Sequence, residues 1–119
     1  YPESCLRFYK CIYEMVNDPS SDSIISWGKS NNSFVINDQE EFIRRNKKMF
    51  SRFFCRNFTE FISRLNFYGF KQMNESSGLW EFGDKYFVKG RPELMVEMHK
   101  RVSMKRFAES SKQMEANAK

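Results

Sequence analysis

Apolar and polar positions alternate along this chain with two periods. Phe8, Cys11, Ile12 and Met15 recur at i, i+3, i+4 and i+7. That spacing lines one face of an amphipathic helix, and Asn17-Asp18-Pro19 stops it. Residues 24–27 (IISW) form a short apolar run of strand type. Residues 28–32 are a polar turn, and residues 33–36 alternate well enough to be the hairpin partner. Asp38 is placed to cap a second helix, with Glu41 as its capping-box partner, and that helix carries Phe42, Ile43 and Met49 inward. Residues 50–55 read as a basic-aromatic connector. Phe58, Phe61, Ile62 and Leu65 then repeat the helical spacing, so a third helix is predicted over residues 57–68, closed by Gly69. At about 100° per residue its opposite face is Glu60, Ser63, Arg64 and Phe67. Residues 70–73 and 79–82 read as two more strands joined by the tight polar turn 74–78. From Pro92 a helical pattern returns with Leu94, Met95 and Met98. Beyond His99 the pattern turns polar, so residues 99–119 are expected to be a flexible basic tail, with no sustained heptads.

Composition narrows the function. The 119 residues suit one domain, and 13 Phe supply a core. The net charge is +5 and the sequence pI about 9.2, which favours a polyanionic partner for an exposed helix. No apolar run approaches a membrane span of ~20 residues. Cys5, Cys11 and Cys55 lack a C-x-x-C pair and read as reduced thiols of an intracellular protein. His99 is the only histidine; no zinc site, other metal site or cofactor is expected. The five glycines are scattered, so there is no phosphate loop. Glu40 and Glu41 are adjacent and do not converge as an acid–base pair. No enzymatic activity is expected. The chain opens on Tyr1 and is expected to be an excised fragment.

The stretch NFTEFISRLNFYGFKQM, residues 57–73, resembles the recognition-helix segment of the heat-shock-factor DNA-binding domain. Three further blocks resemble the same family in order and spacing: residues 8–27, residues 31–42 and residues 79–90 (LWEFGDKYFVKG). The resemblance spans roughly residues 7–98. The alignment is loosest between Phe42 and Phe58, where this chain is about two residues longer. It implies an α+β fold, a winged helix-turn-helix whose three-helix bundle is capped by a small four-stranded antiparallel sheet. Trp27, Phe34, Tyr68, Phe70, Trp80 and Phe82 would be core aromatics. The short turn at 74–78 would be the wing, brief as in the plant members. The domain would occupy residues 1–98 and the tail residues 99–119.

The resemblance also implies a partner, double-stranded DNA, and a nuclear transcription regulator whose family binds inverted GAA repeats as trimers. This fragment has no coiled coil, so it is expected to be a monomer. Base readout would fall to Ser63, Arg64, Asn66 and Phe67. Phosphates would be met by Arg44, Lys47, Lys48, Arg52 and Arg56, from a basic run without intervening acids, and by Lys71, Lys85 and Lys89. Lys100, Arg101, Lys105 and Arg106 form a looser cluster suited to nuclear import or further phosphate contact. The readout departs from the family. Ser63 aligns with the arginine that reads guanine, and Arg64 with the following glutamine. Glu60 stands where the family has serine, and Gln72 where it has lysine. These changes predict weak GAA reading. They also keep open a second function, a protein-interaction module with weak or non-specific DNA binding.

Overall fold

Helix α1 (Glu3–Asn17) opens the chain in this computed structural model, which describes the backbone of residues 3–117 and the side chains of residues 6–109. Strands β1 (Ile25–Trp27) and β2 (Ser33–Ile36) follow. Next come α2 (Gln39–Arg45), α3 (Lys47–Arg52) and α4 (Phe58–Phe67). Strands β3 (Lys71–Met73) and β4 (Trp80–Gly83) complete the sheet, and α5 (Met95–Asn117) ends the described chain. The sheet order is β1-β2-β4-β3, all antiparallel. The expected winged helix-turn-helix with four strands is present, with five helices rather than three among the described residues.

Helix α3 and the continuation of the C-terminal helical pattern into α5 explain that difference. The predicted connector at 50–55 is in part helix α3. Asn46 separates α2 from α3 because its backbone leaves helical geometry (φ −116°, ψ 30°) and its amide Nδ2 donates to Phe42 O at 2.8 Å. Asn46 thus caps the first segment and lets the second turn away. The wing starts at Asn74 (φ 53°) and ends at Gly78 (φ 77°), with one 3-10 turn between them. Glu41 does not close a capping box. The Asp38 carboxylate accepts from Glu41 N at 3.1 Å, but the Glu41 side chain turns to Arg44 and Arg45.

The core sits between α1, the helix-turn-helix and the sheet. Phe34, Phe70 and Phe82 are buried, whereas Trp27, Tyr68 and Trp80 pack against them half-buried. Phe61 from α4 stacks on Phe50 of α3 with centroids 5.2 Å apart and planes 12° apart. Phe42 lies 5.2 Å from the same ring. Phe58 meets Trp80 edge-on at 5.4 Å. Each such ring contributes about 1.5–3 kcal/mol on burial. Together they fix the tilt of α4 from three sides.

The expected division at residue 98 falls inside α5. Met95, Met98 and His99 are buried, and the His99 ring lies 6.4 Å from Tyr9. Arg101 pairs with Asp84 at 2.5 Å. The first turns of α5 are therefore part of the domain. Burial pushes the His99 imidazole below its usual range.

Candidate nucleic-acid interface

Helix α4 begins where Asn57 takes an extended conformation and its Oδ1 accepts from Glu60 N at 2.9 Å. It ends in a Schellman arrangement. Gly69 adopts φ +98°, its N–H donates to Asn66 O, and the Phe70 N–H donates to Leu65 O at 3.0 Å. Leu65 and Phe70 are both buried, which supplies the hydrophobic contact of that motif. Side chains from outside the helix satisfy two further carbonyls. Tyr9 OH donates to Tyr68 O at 2.7 Å, and Arg106 donates to Phe67 O at 2.8 Å. A helix closed at both ends in this way is a rigid platform for its outer face.

That outer face carries two rows. Thr59, Ser63 and Asn66 are exposed, at i, i+4 and i+7. Thr59 was not among the sequence candidates, although it stands one helical turn before Ser63 on the same face. The neighbouring row is Glu60, Arg64 and Phe67. Arg56 grips Glu60 through its guanidinium at 2.8 Å and its backbone N–H at 2.7 Å. The same guanidinium holds the Glu60 carboxyl below the usual carboxylate range. Arg64 is half-buried and neighbours Cys55; burial pushes that thiol up and the guanidinium opposes the shift. Arg64 therefore lies on the flank of the helix, not on its crest. Phe67 is 48% exposed, and the Arg106 guanidinium sits 3.4 Å from its ring centroid.

The basic candidates fall into separate groups. Arg44, Lys48 and Arg52 gather with Lys47 around a depression bordered by Cys11 of α1. Lys47 also lines a second depression with Arg56 and Glu60, next to the start of α4. Arg44 is paired with Glu41, so its charge is partly spent. Lys71 and Lys85 lie at the other end of α4, in a groove of about 870 Å³ that also takes in Asn66, Lys105 and Arg106. Lys89 is exposed in the turn after β4, its N–H held by Asn31 O at 2.8 Å, and it does not line that groove. The nearby cations Lys105 and Arg106 reach the site because α5 continues as a helix. Cys11 and Cys55 are free, and the Cys5 side chain lies outside the described residues. Among the described residues no cluster of His, Cys, Asp and Glu has the form of a metal site, and no helix is long and apolar enough to cross a membrane.

Comparison with known proteins settles the family. The sequence model of HSF-type DNA-binding domains matches residues 8–101. This chain belongs to that family. Relatives of this HSF-type domain include heat stress transcription factor A-4a of Arabidopsis thaliana, 47% identical over 75% of the chain and 21% of the relative. Heat stress transcription factor A-1a of the same plant is 35% identical over 87% of the chain and 20% of the relative. The chain thus spans about a fifth of these relatives. Among solved structures, Chaetomium thermophilum Skn7 with SSRE DNA superposes with a TM-score of 0.62 at 28% identity, covering 76% of this chain and 95% of that one. Skn7 with HSE DNA gives 0.61 at 29% identity, with the same coverage. Lys105 and Arg106 lie past the end of that match.

Proposed function

We propose that this chain binds double-stranded DNA by laying α4 in the major groove, as the DNA-binding domain of a nuclear heat-shock-type transcription regulator. The carrying observation is the exposed stripe Thr59, Ser63 and Asn66 on a helix capped at both ends and flanked by cations. The Asn66 amide suits adenine, to which it presents a donor and an acceptor together. The Ser63 hydroxyl tolerates several bases, so GAA elements are read weakly. Arg64 serves the flank and contributes charge more than base choice. Lys47 at one end and Lys71 and Lys85 at the other position the duplex through phosphates. Arg44, Lys48, Arg52 and Lys89 add long-range attraction from surfaces farther from α4. Arg56 is largely committed to Glu60. The isolated chain binds as a monomer.

The test is an amide-resolved NMR titration with a short duplex. The expected shifts cluster at Thr59, Ser63, Asn66 and Lys71, with Lys10 on α1 unmoved. Shifts confined to α1, or none at all, would overturn the reading.

A second reading, contact with another protein, rests on Phe54. Phe54 is 82% exposed in the turn between α3 and α4 and holds a left-handed φ of 59°, a conformation unfavourable for a bulky residue. Phe67, by contrast, is engaged by Arg106. An apolar contact through Phe54 would be insensitive to salt, whereas duplex binding weakens steeply with it.

A further inference from the structure

Phe67 and Arg106 join α5 to the end of the recognition helix through two contacts at once. The guanidinium covers the ring at 3.4 Å, a cation–π geometry. Its NH2 donates to Phe67 O at 2.8 Å, where a helix C-terminus favours positive charge. The Arg101–Asp84 pair at 2.5 Å fixes the same helix one turn earlier against the residue that follows β4. That pairing also neutralises Asp84, the carboxylate that would otherwise oppose cations in the groove between α4, β3 and α5. What remains on the groove walls is Lys71, Lys85 and Lys105, opposed by Glu109 at the rim. Among the described residues none of these three lysines has a carboxylate partner; Lys85 lies 5.1 Å from the Tyr86 ring. Asn66 borders the same groove, so the groove opens beside the reading stripe.

We propose that α5 belongs to the DNA interface, with Lys105, Lys71 and Lys85 forming a seat for a backbone phosphodiester of the duplex read by α4. The inference rests on the DNA-binding reading above. Phe67 then has a structural role in that seat. It is the anchor that Arg106 grips, and the grip brings Lys105 alongside Lys71. Arg106 is a positioning residue here, and Lys105 touches the phosphate.

The experiment measures duplex binding of the whole chain by fluorescence anisotropy at several salt concentrations. Lys105→Gln is expected to weaken binding at low salt and to reduce the log–log salt slope by about 0.9, the loss of one phosphate contact. Lys10→Gln, on the exposed face of α1, is expected to leave the slope unchanged. Arg106→Ala and Phe67→Ala are each expected to reproduce the Lys105→Gln loss, and the double variant to lose no more than either alone, because both act through one clamp. Glu109→Gln is expected to tighten binding. An unchanged slope for Lys105→Gln in a chain that still binds duplex would overturn the seat and leave the DNA reading intact. Tighter binding by Arg106→Ala would also overturn it, because α5 would then be covering the reading face. A wild-type chain that binds no duplex would overturn the seat together with the reading beneath it.

Discussion

By the resemblance to the heat-shock-factor family, Arg64 stands one residue past the expected place of a guanine-reading arginine, and that step changes its surroundings. Moving about 100° round the helix takes the side chain off the crest, beside Cys55 and in line with Glu60 and Phe67. Ser63 keeps the crest and offers one hydroxyl. Exchanging both, Ser63→Arg with Arg64→Gln, is expected to raise affinity for GAA repeats over a scrambled duplex by about 1–3 kcal/mol, the discrimination of one bidentate arginine–guanine contact. Competition anisotropy with the two duplexes checks this, and unchanged relative affinity would mean that arginine register is not what limits GAA reading. Glu60 makes a second case. Its carboxylate takes Arg56 out of circulation. Glu60→Gln is expected to tighten binding to any duplex and to steepen the salt slope by about 0.9, one further phosphate contact. An unaltered slope would show that Arg56 does not reach DNA even when released.

At the scale of elements, the turn from α4 into β3 couples the recognition helix to the sheet. Gly69 is required there twice over. Its φ of +98° is left-handed, and a Cβ at that position would meet Val102 Cγ2 at 2.8 Å. Gly69→Ala is expected to cost at least about 1–2 kcal/mol from the backbone alone, read as a lower urea midpoint with an unchanged m-value. Full stability in that variant would contradict the assignment of the turn.

Much of the element plan was legible because α1 and α4 bury long regular stripes, and because Gly69 and Asp38 stand at natural stops. Helix α3 was not legible. Its six residues are too few to establish a period, and the break depends on an Asn46 side chain turning back to Phe42 O. The extent of α5 was hidden for another reason. Past Met98 its order depends on partners distant in sequence, with Arg101 reaching Asp84 and Arg106 reaching Phe67. In the candidate site, Ser63, Asn66 and Lys71 emerged directly from the wheel and the resemblance. The commitment of Arg56 to Glu60 and the covering of Phe67 required the fold. The Arg56–Glu60 spacing is visible in the sequence, but the geometry that closes it depends on Asn57 starting the helix.

Across the whole molecule, charge and burial set how the domain responds to solution conditions. His99 projects from α5 against Tyr9 of α1, and burial pushes its imidazole below the usual range. The unfolded chain therefore takes up a proton more readily than the folded one. Stability contributed by the neutral ring is present above about pH 6.5 and is lost as pH falls from there toward the lower folded value. His99→Gln is expected to flatten that decline, whatever its effect on absolute stability. Thermal midpoints measured on either side of about pH 6.5 decide it, and equal pH slopes for the two proteins would contradict the role of His99. The cations, meanwhile, frame α4 at both ends, with Lys47 near its start and Lys71, Lys85 and Lys105 near its close. On the reading proposed above, such a footprint would attract any duplex, with Ser63 and Asn66 left to supply modest sequence choice. The most direct measurement is an anisotropy titration of the chain against inverted GAA repeats, a scrambled repeat and a randomised pool, each at low and moderate salt. Steeply salt-dependent binding to all three, with little preference for GAA, is the expected result; no binding at low salt, or binding indifferent to salt, would contradict DNA recognition by this domain.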